Sequence, residues 1–185
     1  MVNEIIEEMK SDMLKSVNSM KQALIKVRTG RASIGIMDGV MVDYYGTPTP
    51  MNQLATLATP EPRLITIQPW DKSALSAIEK AIMKSELGLT PTNDGKIIRV
   101  PIPPLNEERR RELVKMVKKM AEDFRIEVRN HRRGANSILK DLEKDKEINK
   151  DELKSSQDKV QEITDGYIKQ IDEILSEKEK EIMEV

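Results

Sequence analysis

Arg129, Arg132 and Arg133 stand within five positions of one another in the stretch EVRNHRRGANSILK, which begins at Glu127 and contains His131, the only histidine of the chain. Guanidinium forks grouped in this way suit bidentate contacts with phosphate or carboxylate. Little covalent chemistry is open to such a chain. It has no cysteine and a single histidine, so no Cys/His or Ser/His nucleophile set can be drawn, and disulfides and thiolate metal sites are excluded. Gly30, Gly35 and Gly39 have the wrong spacing for a phosphate loop, and G-x-x-x-x-G-K-[ST] does not occur. Carboxylates are abundant, but no two are singled out. A non-enzyme without metal or cofactor is expected.

The elements that must carry the arginines follow from periodicity. Ile6, Met9, Met13, Val17, Met20, Leu24 and Val27 recur in steps of three and four, one stripe of an amphipathic helix, with Gly30 where a left-handed cap would sit. Residues 31–104 hold all nine prolines. The runs GVMVDYYG, QLATLAT, RLITIQPW and KIIRVPI there read as strands, and GTPTP, TPEP and TNDG as turns. DKSALSAIEKAIMKSELG reads as one short helix with Leu75, Ile78 and Ile82 on one side, capped by Asp71 or Ser73. Asn106 caps a helix of about 38 residues, roughly 55 Å long. Its stripe is Leu113, Val117, Met120, Phe124, Val128, His131, Ala135, Ile138 and Leu142. KDKEIN makes a turn, and Asn149 with Glu152 forms a capping box for a last helix striped with Leu153, Val160, Ile163, Tyr167, Ile171, Ile174 and Ile182. No one of the three long helices buries its stripe alone. The fold class expected is α+β, a discontinuous three-helix bundle of residues 1–30 and 105–185 with residues 31–104 inserted as a small β/α/β domain. Two adjacent tethers, Gly30, Arg31, Ala32 and Ser33 on one side and Pro103, Pro104 and Leu105 on the other, would form a hinge.

A net charge of −1 hides a gradient: the segments 1–104, 105–140 and 141–185 carry +1, +5 and −7. Around the long helix that follows Asn106, with Leu113 at zero, Arg111, Lys118, Arg125, Arg129, Arg132, Arg133 and Lys140 fall at roughly 100–200°. Glu112, Asp123, Glu127 and Asp141 fall at roughly 260–320°, and Glu122 and Glu143 interrupt the basic sector. Residue physics leaves two readings of this basic face open. One is a solvated face laced with ion pairs. The other is a phosphate-binding face, which gains weight, though not the upper hand, because Arg125, Arg129 and Arg133 repel one another at i,i+4 by a few tenths of a kcal/mol per pair. Aromatics are only 3% of the chain, so contacts to nucleic acid would go to backbone and shape instead of stacked bases.

His131 lies on the apolar stripe and reads as a partly buried packing histidine. Tyr44 and Tyr45 alternate, one facing in and one out, with packing favoured over stacking on RNA. Trp70, at a strand end, reads as core. Gly134 in a helix interior costs roughly 1 kcal/mol against alanine. The N-terminal MVNEIIEEMK is acidic and amphipathic, unlike a signal peptide, and no apolar run approaches the roughly 20 residues that span a membrane. A cytoplasmic monomer is expected.

KVRTGRAS, VDYYGTPTPMNQLA, EKAIMKSELGL, IRVPIPPLNEERRRELVK and VRNHRRGAN, in that order over nearly the whole chain, resemble bacterial ribosome recycling factor. The resemblance implies a bundle plus inserted domain, L-shaped and somewhat like transfer RNA. It implies binding to the ribosome after termination, on large-subunit ribosomal RNA near the peptidyl-transferase region. With elongation factor G and GTP, the ribosome is then split into subunits, releasing messenger RNA and deacylated transfer RNA. The RNA-contacting arginines of the family map onto Arg28, Arg31, Arg110, Arg129, Arg132 and Arg133; Lys118 and Arg125 are further RNA-facing candidates from the helical wheel. Two departures from the family pattern stand out: an apolar residue is usual where His131 stands, and Asp where Gly134 stands. A rival reading is a helical-hairpin RNA chaperone or transfer-RNA-binding arm, which would need the hairpin but not the insert.

Overall fold

A computed structural model describes residues 1–184. In chain order the regular elements are helix α1 (Val2–Ile25), strands β1 (Met41–Tyr44), β2 (Thr47–Pro50), β3 (Ala55–Glu61) and β4 (Leu64–Pro69), helix α2 (Leu75–Lys84), strands β5 (Thr92–Asn93) and β6 (Ile98–Pro101), and helices α3 (Glu107–Lys144) and α4 (Lys150–Met183). The fold class is α+β. The chain divides into two compact units, Met1–Leu24 with the chain from Arg111 onward, and Ile25–Arg110.

The first unit is helical. In α1, Ile6, Met9, Met13, Val17, Met20 and Leu24 are buried, as the stripe requires. Long aliphatic and thioether side chains do the filling that aromatics do elsewhere, each buried one contributing roughly 1.5–3 kcal/mol. The helix stops at Ile25, so Gly30 is not its cap. Gly30 is left-handed (φ 78°) all the same, and a Cβ there would lie 3.1 Å from Leu105 Cγ, so both backbone and space favour glycine. Asn106 Oδ1 accepts from Arg109 N (2.7 Å) and starts α3. The α3 seam runs slightly off the expected stripe. Ala121 and Leu139 are buried, whereas Met120 is half-buried and Ile138 is 48% exposed. A 3.6-residue helix drifts against a strict three-and-four pattern, and small Ala121 allows close approach. Lys146 takes a left-handed conformation (φ 61°) and ends the turn after α3, with Glu147 N donating to Leu142 O (2.9 Å). The capping box at Asn149 and Glu152 forms as expected. In α4, Val160, Tyr167, Ile171 and Ile182 are buried with Leu175, while Ile174 is half-buried. Ser156 and Thr164 are also buried, their hydroxyls donating to the carbonyls of Glu152 (2.6 Å) and Val160 (2.7 Å).

The second unit holds an antiparallel sheet of order β3-β4-β6-β5 and a separate β1-β2 hairpin. Ile65, Ile67, Ile98 and Val100, from the inward positions of β4 and β6, share one core with Ile78 and Ile82 of α2. Asp71 Oδ1 accepts from Ser73 N (2.9 Å) and starts the turn that leads into α2. GTPTP is not a turn: Thr47–Pro50 is strand β2, and only Tyr45 and Gly46 (φ 49° and 80°) turn the chain. Two successive positive φ angles give the tight hairpin that matches strand twist, and an edge strand tolerates Pro48 and Pro50. Trp70 is not core. It is 68% exposed, one step past buried Pro69, and its Nε1 donates to Thr56 Oγ1 (3.0 Å). Tyr45, in the turn, is 79% exposed, and Tyr44 is half-buried with its hydroxyl donating to Asp71 (2.9 Å).

The β5–β6 turn carries a pH signature. Asp94 accepts from Ile97 N (2.8 Å), Lys96 N (3.0 Å) and the guanidinium of Arg99. The Ile97 amide first, then Arg99 and Lys96, hold its carboxyl down at about 2 from an ordinary 3.8. A depressed carboxylate stabilises the fold above its unfolded value and loses that contribution as pH falls through its folded one. Stability of this unit is therefore expected to decline between about pH 4 and pH 2 through Asp94. Asp94→Asn should flatten that segment of a pH-dependent unfolding curve; an unchanged slope would remove the assignment.

Candidate nucleic-acid interface

The flanks of α3 are set by what packs beside them. On the acidic flank, Glu127 Oε1 accepts from the buried Ser16 hydroxyl of α1 (2.8 Å). His131 Nε2 lies 3.2 Å from the same hydroxyl, with the His131 side chain 28% exposed, a partly buried packing position. The basic flank faces α4. Lys118 reaches Glu179 (3.6 Å), Arg125 reaches Asp172, and Arg132 reaches Gln161. The acidic last helix thus lies along part of the basic sector of α3.

The arginines divide by the charge of their partners. Arg125 is 19% exposed, with Nε and Nη2 both on Asp172 Oδ1 (2.9 and 2.6 Å) and Nη1 on Glu122 Oε2 (3.0 Å). Burial opposes its charge, but the two carboxylates outweigh burial, and its pKa is raised. Arg129 is 37% exposed and bonds Glu122 Oε1 (3.0 Å). Arg129 first, and then Arg125, hold the Glu122 carboxyl below the usual range. Arg132 and Arg133 differ. Their Nη1 groups donate to neutral amide oxygens, Gln161 Oε1 (2.9 Å) and Asn130 Oδ1 (3.3 Å). These two side chains are oriented without losing their charge. Lys118 and Arg125, the further candidates from the wheel, are engaged by carboxylates of α4.

Arg125→Ala is consequently expected to act on the fold. It would leave Asp172 without its cation, while Glu122 keeps Arg129, and cost about 1 kcal/mol in urea unfolding. The salt dependence of RNA binding should stay as in the unaltered chain; a shallower slope would instead make Arg125 an RNA contact.

Arg28, Arg31 and Arg110 belong to the second unit. Arg28 is half-buried and Arg31 exposed, in the segment that follows α1. Arg110 sits in the first turn of α3, its own N–H on Asn106 O (3.0 Å). It is half-buried, and its Nε is enclosed with no acceptor among the described residues. Among the described residues no group of His, Asp and Glu could hold a metal. No helix of the described residues is long and apolar enough to cross a membrane.

Two participants were not legible as such. Glu122 looked like an interruption of the basic sector, although its i,i+3 and i,i+7 relation to Arg125 and Arg129 was a usable signal. Gln161 carried none, since it lies on a different helix.

The family model described as ribosome recycling factor matches residues 20–183. The chain is 55% identical over 185 residues to the ribosome-recycling factor of Syntrophus aciditrophicus (strain SB), with both chains covered in full. It is 56% identical over 185 residues to that of Geobacillus kaustophilus (strain HTA426), again with full coverage of both. A solution structure of the ribosome recycling factor superposes with a TM-score of 0.80 at 44% identity, covering 100% of this chain and 98% of that one. A second solved chain comes from a study of the T. thermophilus ribosome recycling factor and the E. coli elongation factor G bound to the E. coli post-termination complex. It gives a TM-score of 0.70 at 42% identity, with both chains covered in full. Composition without catalytic groups, an α+β fold with three long helices, and these likenesses agree: the chain belongs to the ribosome recycling factor family.

Proposed function

We infer that the chain works as a ribosome recycling factor. It binds post-termination ribosomes and, with elongation factor G and GTP, splits them into subunits, releasing messenger RNA and deacylated transfer RNA. It performs no chemistry itself; GTP hydrolysis belongs to its partner. Family membership over the full length supports the activity, and the solved assembly with elongation factor G on a post-termination complex supports the partners. The place of work is the cytoplasm, where post-termination ribosomes are found.

The ribosomal RNA contacts are assigned to Arg28, Arg31, Arg110, Arg129, Arg132 and Arg133. The observation that carries this assignment is the pairing of Arg132 and Arg133 with neutral amides, which leaves two oriented guanidinium groups with uncancelled charge. Such groups fix a protein by phosphate contacts, without reading base sequence. The receiving surface is large-subunit RNA near the peptidyl-transferase region.

The hinge is assigned to Gly30, Arg31, Ala32 and Ser33 with Pro103, Pro104 and Leu105. Ala32 N donates to Pro62 O (2.7 Å), and Ile102 N donates to Arg63 O (2.8 Å). Both tethers are therefore fastened to the same β3–β4 turn, so in this reading Gly30 and Arg31 with Pro103, Pro104 and Leu105 take up the bending, and Ala32 and Ser33 mark its edge on the insert side. Gly30 against Leu105 is where the tethers touch. In this reading the bundle is the fixed part, and residues 31–104 swing to transmit force from the GTPase.

A splitting assay on post-termination ribosomes, with and without elongation factor G and GTP, tests the activity. Subunits should appear only when this chain, the GTPase and GTP are all present. Intact ribosomes in the complete mixture would overturn the reading.

A further inference from the structure

The cation–anion pairs between α3 and α4 follow an antiparallel register with a seven-residue period. Lys118 meets Glu179, and Arg125 meets Asp172. One period further along, the cation is Arg132 and the acid is Asp165. That pair is missing from the contacts of Arg132. Gln161 comes between: its Oε1 accepts from Arg132 Nη1 (2.9 Å), and its Nε2 donates to Asp165 Oδ1 (2.7 Å).

We propose that Gln161 is a positioning residue that holds Arg132 away from Asp165 and so keeps its charge available to ribosomal RNA. The chemistry of the amide makes it suited to the task. An ionised carboxylate only accepts, so Asp165 draws the NH2 end of Gln161 toward itself. The carbonyl end is thereby turned to Arg132, where it accepts one N–H and cancels no charge. A guanidinium has five donors, so four remain for phosphate. Alanine at 161 would remove the spacer, and Arg132 would close on Asp165 as Arg125 has closed on Asp172.

This inference rests on Arg132 being an RNA contact, and the test separates the two claims. Binding to isolated large ribosomal subunits is measured over a range of salt for the unaltered chain, Q161A, Q161A/D165N and R132A, with helicity checked by circular dichroism. Alanine is the best helix former, so Q161A should keep α4 intact. Q161A should bind about fivefold more weakly, the cost of first breaking a surface ion pair, with a shallower salt slope. Q161A/D165N should recover most of the affinity and the slope, because no carboxylate remains to capture Arg132. Native affinity in Q161A, or a loss that D165N does not repair, would overturn the role of Gln161. Native affinity in R132A would instead remove the RNA contact beneath it.

Discussion

Replacing Arg132 and Arg133 together by alanine is expected to weaken binding to the large ribosomal subunit about a hundredfold, with little change in stability. A hydrogen bond to a charged partner is worth about 1.5–3 kcal/mol, and 1.4 kcal/mol is tenfold in affinity. Two such contacts would exceed a hundredfold if they added fully, but neighbouring contacts seldom do. Stability should hold because each side chain gives up only one bond to a neutral amide, at the helix surface. Salt supplies the second reading of the same experiment. Each phosphate neutralised contributes about one to the log–log slope, so the double variant should lose about two. Splitting activity should fall in parallel at limiting factor concentration. Unaltered affinity and slope would take both arginines out of the interface.

Excising residues 32–103 is expected to abolish splitting while the remaining helices stay folded and hold RNA. The geometry permits the operation. A Cβ on Gly30 would lie 3.5 Å from the backbone nitrogen of Leu105, so the cut ends are near and a short linker spans them. The buried stripes of α1, α3 and α4 belong to one compact unit, so helicity and cooperative unfolding of that unit should persist. The arginines assigned above to RNA contact, Arg129, Arg132 and Arg133, are untouched, and weakened but measurable ribosome binding should survive. In the proposed mechanism the insert takes the force from elongation factor G, so its loss should end splitting. A helical-hairpin chaperone or transfer-RNA arm would behave differently, keeping its activity without the insert. Retained splitting by the shortened chain would therefore favour that rival and end the hinge mechanism.

The helices were legible because each signal is local. The α1 stripe, the Asn106 cap, the Asn149–Glu152 box and the three α2 core positions depend on residues within a few places of one another, and all are found. The misreadings share a cause as well. β2 looked like a turn because Pro48 and Pro50 are rare in strands, yet an edge position asks little of a backbone N–H. Trp70 looked like core by type, but strand alternation carries it outward beyond Pro69. Ile138 and Leu139 differ by one residue of helix rotation, a difference set by which neighbour the helix meets.

Sequence alone determined that this chain would be helices around a small proline-rich insert, that it held no Cys/His or Ser/His nucleophile set, and that its net positive charge gathered on one helix. Those properties reside in composition and in spacings along the chain. Which of the cations stay available was decided only in three dimensions. α4 lies against the basic flank of α3 and carries its acids in a seven-residue register, so Asp172 takes Arg125 and Glu179 takes Lys118. At Arg132 the partner is an amide, and the charge survives. Coulomb attraction falls with distance through space, and positions 132 and 161 become neighbours only after the two helices pack.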